Sequence, residues 1–158
     1  MYRIGFGTDI HRLITGRPLV IGGVGIESDK GADGHSDADV LMHAVTDAVL
    51  GSLALGDIGT HFRNNEPRWQ NAESTVFLKY AVGLIKERGY KVANLDAVID
   101  LEKPRLRDYV DIMRENLAGA LEVSIEQVSI KVKTGEKVDV VGQGMAIRAQ
   151  AVILVGSM

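Results

Sequence analysis

The sequence contains no cysteine, and this absence excludes several kinds of functional site at once. Without thiols the chain can form no disulfide, no thiolate nucleophile and no cysteine-bound zinc centre. Any metal ion that it binds must therefore be held by histidine and carboxylate side chains. Carboxylates are plentiful, but the chain has only 4 histidines, so few positions can supply a nitrogen ligand.

The sequence also lacks an excess of basic residues. Its 18 lysine and arginine residues stand against 21 aspartate and glutamate residues, for a formal net charge of -3. This balance argues against nucleic-acid binding through a broad basic surface. A phosphorylated substrate would have to be bound by local features such as metal ions or backbone N–H groups.

No stretch of the sequence has the roughly 18 consecutive apolar residues of a transmembrane helix. The opening residues, MYRIGFGTDIHR, also lack the apolar segment and cleavage site of a secretory signal peptide. We therefore expect no membrane partner and a cytoplasmic location. A length of 158 residues suits one domain, and we expect residues 1–158 to form it.

The order of predicted elements indicates a two-layer α+β fold. A first strand, YRIGFG, precedes a hairpin at Gly22–Gly23. Helices are predicted in DADVLMHAVTDAVLGSLALG, STVFLKYAVGLIKERG and KPRLRDYVDIMRENLAGALEV, and strands in YKVANLDAVIDLE, VSIKVKT and AIRAQAVILVG. We predict a two-layer α/β sandwich with a mainly four-stranded sheet, helices on one face and a small β-hairpin. The polar segment ESDKGADGHSDADV is predicted to be a loop, with Ser36 or Asp37 capping the next helix.

The motif GTDIHRL places charged side chains in the first strand. Alternate residues of a strand share a face, so Asp9 and His11 are predicted to lie side by side. On the following helix, Asp39 and Asp47 flank His43 at spacings of four residues and share its face. Either carboxylate is predicted to accept the second ring N–H of His43. The candidate zinc ligands are Asp9, His11 and His43, a set that leaves one tetrahedral position open. The alternative is an ordinary surface pair beside an ordinary helix histidine.

Two further motifs carry groups suited to anions and hydroxyls. GHSDADV places His35 and Ser36 at a predicted helix N-terminus, where free N–H groups favour an anion such as a diphosphate. The alternative is a simple capping motif. LGDIGTHF places Asp57 just beyond a helix, where its carboxylate can accept hydrogen bonds from ribose or polyol hydroxyls, or can organise a turn.

The motif KTGEK lies at the end of a predicted strand. Lys133 and Thr134 can stabilise the charge of a transferring phosphoryl group, and Glu136 can hold a hard cation such as Mg²⁺. The short glycine motifs GVGI and GQGM do not open a strand–turn–helix unit, so they do not indicate a dinucleotide site.

Taken in order, these motifs resemble those of the 2-C-methyl-D-erythritol 2,4-cyclodiphosphate synthases of the non-mevalonate isoprenoid pathway. The matching blocks are GFGTDIHR, HSDADVLMHAVTDAVLGSLALGDIGTHF and the KT-x-E motif, and the resemblance extends from Arg3 to Val155. It implies a metal-dependent lyase that forms a homotrimer with active sites between subunits. In the implied reaction, the 2-phosphate of 4-diphosphocytidyl-2-C-methyl-D-erythritol 2-phosphate attacks the β-phosphate of the same molecule. The products are 2-C-methyl-D-erythritol 2,4-cyclodiphosphate and CMP.

The resemblance also implies roles for individual residues. Zinc would be held by Asp9, His11 and His43, and a second divalent ion, Mg²⁺ or Mn²⁺, by Glu136. The implied catalytic residues are His35, Thr134 and Glu136. The implied substrate contacts are Asp9, His11, His35, Ser36, Asp57, Ile58, Gly59, Phe62, Leu101, Pro104, Arg105, Leu106, Lys133, Thr134 and Glu136. Among them, the segment Pro104–Leu106 with Leu101, Lys133 and Thr134 would line the cytidine pocket of an adjoining subunit.

Three segments depart from the family pattern. Arg63–Asn64 stands where the family usually has Pro-Asp, so a carboxylate is absent there. Arg105 replaces the lysine of many members, which keeps the charge but changes the hydrogen-bonding geometry. Gln143 and Met145 replace the arginine and glutamate of a G-R-G-E-G segment, whose arginine faces a central trimer cavity associated with isoprenoid diphosphates.

Two other functions are compatible with the same residues. A zinc hydrolase would use the open zinc position to activate water, but no glutamate or histidine is evidently placed as the general base for that water. A phosphometabolite-binding protein would use a structural metal, but the open ligand position and the Thr134–Glu136 pair favour an enzyme. The nature of the released product separates the three possibilities.

Overall fold

A computed structural model describes residues 1–63 and 66–158 of the chain. The strands are β1 (Tyr2–Thr15), β2 (Leu19–Ile21), β3 (Val24–Ile26), β4 (Lys30–Ala32), β5 (Tyr90–Asp100), β6 (Val128–Lys133) and β7 (Ala146–Ser157). The α-helices are α1 (Val40–Ser52), α2 (Ile58–His61), α3 (Thr75–Glu87) and α4 (Val110–Leu121), with short 3-10 turns at Pro67–Trp69, Arg107–Tyr109 and Ile125–Gln127. No helix in these two ranges is both long and apolar enough to cross a membrane.

Five strands form the main sheet, in the order β4-β1-β7-β5-β6. Only β5 and β6 pair in parallel, while β2 and β3 form the separate hairpin that was predicted. The mixed α+β class is confirmed, but the predicted count of four strands is wrong. The fifth strand is β4, which lies in the segment predicted to be a loop. Strand β1 continues to Thr15, so its end has an unpaired edge along which Lys30–Ala32 forms hydrogen bonds.

One face of the sheet is buried beneath helices. Along β7 the odd-numbered residues from Ile147 to Val155 are buried, while alternate residues such as Gln150 and Val152 are exposed. Helix α1 packs on β1 and β7 and is flanked by α3, and most of its residues are buried. Because α1 lies at the centre of the core, a polar side chain on it is held in a fixed position against the sheet.

Helix α1 approaches β1 closely at two glycines. A Cβ atom on Gly7 would lie 2.0 Å from the carbonyl oxygen of Ala44, and one on Gly5 would lie 1.7 Å from that of Ala48. Only residues without a side chain permit this separation. Asp9 and His11 continue the same face of β1, so the close contact directs them toward the residues of α1.

We expect Gly7→Ala to destabilise the fold by at least about 3 kcal/mol, because the helix must move away from the strand to admit the methyl group. Chemical denaturation measures the effect. The control is Gly25→Ala in β3, where an added Cβ meets nothing within 4 Å and the change should stay below about 1 kcal/mol. Equal stability of the two variants would contradict the close contact.

The start of α1 is capped by Asp39, which corrects the prediction of Ser36 or Asp37. One Asp39 oxygen accepts the N–H of Met42 at 3.0 Å, and both oxygens accept N–H groups from the two glycines of the β2–β3 turn, at 2.9 and 2.7 Å. Burial raises the pKa of Asp39 to about 6, against the opposing effect of these N–H groups. Asp39, rather than Ser36 or Asp37, caps the helix because its carboxylate also binds the β2–β3 hairpin. That contact is not local in sequence.

Candidate active site

Three predicted ligands meet at the end of the contact between β1 and α1. The Asp9 Oδ2 atom lies 2.9 Å from His11 Nε2 and 3.0 Å from His43 Nδ1, and the two ring nitrogens are 3.3 Å apart. A zinc ion with ligand distances near 2.0–2.1 Å separates tetrahedral ligands by about 3.4 Å. Within the described ranges, Asp9, His11 and His43 form a group of three acidic or histidine residues whose ligand atoms lie close enough together to hold one metal ion. The donor set and its spacing fit zinc.

The backbone fixes the orientation of His11. Its Nδ1 atom lies 2.7 Å from the carbonyl oxygen of Asp33, which can only accept a hydrogen bond. The Nδ1–H group therefore donates, and in the neutral ring the lone pair of Nε2 is directed toward Asp9 and His43. This arrangement presents His11 in the form that binds a metal.

The partner of His43 differs from the prediction. Its Nε2 atom lies 2.8 Å from the hydroxyl of Ser74, at the start of α3. Neither predicted carboxylate fills this role, because Asp39 caps α1 and Asp47 accepts the N–H of Ile58 at 2.7 Å. Ser74 could not be identified from the sequence, because it lies 31 residues from His43 with no motif linking them.

The charges of the triad are strongly coupled. Burial alone would raise the pKa of Asp9, but hydrogen bonds and attraction from the protonated His11 and His43 rings outweigh it and hold the pKa well below its usual range. Burial lowers the pKa of His11, but its hydrogen bond to Asp9 and the attraction between them raise it overall above 6.5. In the metal-free protein, Asp9 therefore favours a proton on its histidine neighbour.

This coupling predicts the pH dependence of metal binding. A metal ion must displace the proton of His11, whose pKa is raised, so zinc affinity should continue to increase as the pH rises beyond 6.5. Competition with a chelator across a pH series measures this affinity. A zinc affinity that is constant above pH 6.5 would contradict the raised pKa of His11.

The same shifts predict the stability of the metal-free protein. Asp9, with its lowered pKa, stabilises the fold above its ordinary value of 3.8, and this contribution is lost as the pH falls. His11, with its raised pKa, stabilises the fold fully below 6.5, and this contribution is lost as the pH rises through the raised value. The pair should therefore stabilise the metal-free protein most at mildly acidic pH.

The triad opens into a cavity of about 220 Å³. One wall is aromatic, because the Phe62 ring packs edge-on against Trp69 at 5.1 Å and lies 4.5 Å from Phe77. Two polar residues, His35 and Ser36, also line the cavity. The predicted helix N-terminus is wrong for this pair, since α1 begins at Val40. The pair lines the cavity from the segment that precedes α1.

The turn that contains Asp57 lies beside this cavity. Asp57 caps α2, and its Oδ1 atom accepts the backbone N–H and the hydroxyl of Thr60 at 2.8 and 2.7 Å. These bonds lower the pKa of the exposed carboxyl. Ile58 lines the cavity, and its N–H donates to Asp47. Burial raises the pKa of Asp47, whose carboxylate fixes the turn next to the triad.

A second cavity, of about 340 Å³, lies at the other edge of the sheet. It contains the predicted residues Leu101, Pro104, Arg105, Leu106, Lys133 and Thr134, together with Glu102, Arg107 and Val132, which the sequence did not indicate. The Thr134 hydroxyl lies 2.8 Å from Glu136 Oε1. Glu136 and Lys137 both adopt left-handed backbone conformations, with φ of 49° and 60°. Such strained positions are concentrated at functional sites.

The two cavities are separated within one chain. Ile10, next to the triad residues, pairs with Arg148, which pairs with Asp100, which pairs with Lys133. These pairs span three strand spacings, which places the ends of the row about 14 Å apart. The strand that leads to Thr134 therefore lies three strands away from the strand that carries Asp9 and His11.

The sequence profile of the YgbB family matches residues 2–156. The chain belongs to the YgbB family. The 2-C-methyl-D-erythritol 2,4-cyclodiphosphate synthase of Solibacter usitatus is 49% identical to this YgbB-family chain over 151 residues, which cover 96% of this chain and 95% of the relative. The resemblance identified from the motifs is thus confirmed.

Solved structures share the YgbB-family fold. The bifunctional IspDF of Campylobacter jejuni superposes with a TM-score of 0.96 at 32% identity, covering 100% of this chain but only 43% of that longer protein. The Plasmodium falciparum IspF, solved as a CDP complex, superposes with a TM-score of 0.87 at 34% identity, covering 99% of this chain and 96% of the other.

The departures from the family pattern lie in different parts of the structure. Arg63 is described, and its carbonyl oxygen accepts the N–H of Glu66 at 3.1 Å, whereas Asn64 lies outside the described residues. Arg105 lines the second cavity. Gln143 and Met145 are both exposed, so neither change affects the core.

Proposed function

We propose that this YgbB-family chain, acting as one domain over residues 1–158, is the lyase that forms 2-C-methyl-D-erythritol 2,4-cyclodiphosphate and CMP from 4-diphosphocytidyl-2-C-methyl-D-erythritol 2-phosphate. The observation that carries the proposal is the Asp9–His11–His43 triad opening into a cavity lined by His35 and Ser36. The relatives named for this reaction support the proposal, as does the CDP complex of the Plasmodium falciparum protein.

Two divalent ions fit the available donors. Asp9, His11 and His43 would hold zinc, a borderline ion that accepts nitrogen and oxygen ligands. Glu136, together with phosphate oxygens, would hold Mg²⁺ or Mn²⁺, which prefer oxygen. When bound, these ions neutralise phosphate charge and polarise phosphoryl oxygens.

The residues of the chain position the reacting groups. His35 and Ser36 contact the diphosphate from the polar side of the first cavity, while Asp57, Ile58, Gly59 and Phe62 hold the methylerythritol portion. The intramolecular attack needs alignment more than a protein nucleophile. His35 donates a hydrogen bond to the charge that develops on the β-phosphate. The Thr134 hydroxyl donates to Glu136 Oε1 at 2.8 Å in this structure, and it would stabilise the same charge after turning from Glu136 to the phosphate.

The second cavity has the composition of a nucleotide pocket. Leu101, Pro104 and Leu106 supply apolar surface for a pyrimidine ring, while Arg105 and Lys133 supply positive charge for its phosphates. We place the cytidine portion here. CMP is then the leaving group held furthest from the triad.

The site requires a second chain, and we propose a homotrimer. Ile10, beside the triad, and Lys133, in the second cavity, lie about 14 Å apart across the sheet of one chain, so we infer that the second cavity of a neighbour completes the first cavity. The sheet face opposite the helices exposes apolar side chains, which are Ile4, Phe6, Ile10 and Val152. An uncovered apolar face of this kind is typical of an interface between subunits.

Phosphorus NMR tests the reaction directly. The purified protein is incubated with Zn²⁺, Mg²⁺ and the cytidine diphosphate of methylerythritol 2-phosphate. We expect signals for CMP and a cyclic diphosphate to replace those of the substrate. Inorganic phosphate without CMP would indicate the zinc hydrolase instead, and unchanged substrate would contradict the proposed reaction.

A further inference from the structure

We propose that Ser74 and Asp37 are positioning residues that fix the tautomer of His43, so that its Nδ1 lone pair is directed at the metal position. This inference rests on the proposed function of the triad as a metal site. Asp37 and Ser74 lie outside the predicted ligand, substrate and catalytic sets.

A continuous chain of hydrogen bonds joins the three residues. The His43 Nε2 atom lies 2.8 Å from the Ser74 hydroxyl oxygen. That hydroxyl contacts Asp37 Oδ1 in a short hydrogen bond, and the Ser74 backbone N–H donates to Asp37 Oδ2 at 3.1 Å. Asp37 is thus held by both the side chain and the backbone of Ser74.

Asp37 is the last acceptor in this series of hydrogen bonds, and it determines which group donates in each of them. A carboxylate can only accept, so the Ser74 hydroxyl donates to Asp37. The lone pairs of that hydroxyl are then left to accept, so His43 donates through Nε2–H. A neutral imidazole carries one proton, so Nδ1 has none and its lone pair is free for a metal.

Asp9 favours the opposite tautomer. In the metal-free protein its carboxylate lies 3.0 Å from His43 Nδ1 and would accept a proton held there. The Ser74–Asp37 pair competes with Asp9 for the single proton of His43. When His43 already has the metal-binding tautomer, no free energy is spent on tautomer exchange as the ion binds.

The surroundings keep the pair rigid. Ser74 is fully buried, and the loop of Asp37 is joined to the segment before α3 by the Asp37 N–H, which donates to the carbonyl of Ala72 at 3.1 Å. The Ser36 hydroxyl lies 3.2 Å from His43 Nε2 and 3.4 Å from the Ser74 hydroxyl. The Ser36 hydroxyl also accepts the N–H of Ala38 at 3.2 Å, and Ser74, at 2.8 Å, is the closer acceptor for His43.

Nitrogen NMR of the histidine rings in the metal-free protein, under mildly alkaline conditions, reads the tautomer directly. We expect His43 to carry its proton on Nε2 in the wild type. In Ser74→Ala the acceptor is lost, and in Asp37→Ala the Ser74 hydroxyl is freed to donate to Nε2. Both variants should move the His43 proton to Nδ1, toward Asp9.

Zinc affinity, measured by competition with a chromophoric chelator, is the second readout. Both variants should bind zinc about tenfold to a hundredfold more weakly than the wild type, the usual effect of losing a partner of a metal ligand. Ser52→Ala is the matched control for a buried hydroxyl, since Ser52 donates to the carbonyl of Val49 at 2.7 Å in α1. Asp29→Ala removes an exposed carboxylate before β4. Both controls should keep the wild-type tautomer and zinc affinity.

A wild-type His43 protonated on Nδ1, or a tautomer unchanged in both folded variants, would overturn the inference. Amide NMR spectra show whether each variant is folded. If one variant does not fold, the other alone tests the inference. The outcome is independent of the proposed reaction. If the tautomers shift as expected but the wild type binds no zinc, the Ser74–Asp37 positioning is supported and the metal-dependent function fails.

Discussion

Replacing His43 with alanine is expected to abolish zinc retention and to reduce product formation by at least about a thousandfold. The remaining Asp9 and His11 cannot hold zinc in a tetrahedral protein site, which needs three protein ligands and one open position. Losing several kcal/mol of phosphate charge stabilisation corresponds to a rate reduction of about this size. Metal analysis of the purified variant and phosphorus NMR of the reaction measure the two effects.

His61→Ala is the matched control for this experiment. His61 donates from Nε2 to the carbonyl of Leu55 at 2.8 Å and packs on Tyr80, outside the triad. Losing one neutral hydrogen bond costs about 1 kcal/mol, so the control should retain zinc and lose less than about tenfold in rate. A His43→Ala protein that keeps both zinc and turnover would exclude His43 as a ligand.

Replacing Phe6 with glutamate is expected to separate the subunits and to reduce kcat/KM by about a hundredfold or more. Phe6 is 59% exposed in the single chain and pairs with Val152 on the uncovered face of the sheet. In the proposed trimer a charge there would be buried without a partner, a cost of several kcal/mol at each interface. A separated subunit loses the neighbour's second cavity, and with it the alignment of the cytidine portion.

The same variant should still bind one zinc ion per chain, because all three ligands belong to one chain. Light scattering measures the mass of the particle, and metal analysis measures the zinc. The control is Ile112→Glu on α4, which introduces the same charge at a residue that is 48% exposed on a helix. A Phe6→Glu protein that is monomeric yet fully active would contradict the shared site, whereas a wild-type monomer would contradict the proposed assembly.

The sequence by itself determined those features that depend on local periodicity. Side chains two residues apart on a strand share a face, so the placement of Asp9 beside His11 follows from spacing alone. Helical periodicity likewise predicted the long helix, and with it the placement of His43 on α1. The motif order was also sufficient to identify the family, because each block combines histidine, aspartate or other functional residues with glycines at fixed spacing.

The tertiary structure alone decided which partners those residues meet. Several residues before α1 are good helix caps, and Asp39 is selected because the distant β2–β3 turn supplies additional N–H donors. Strand β4 is too short to have its own periodicity and forms because the end of β1 needs a partner. The pairing of His43 with Ser74 joins residues 31 positions apart, and the separation of the two cavities depends on strand order. Such contacts arise from packing between elements, which local sequence patterns do not encode.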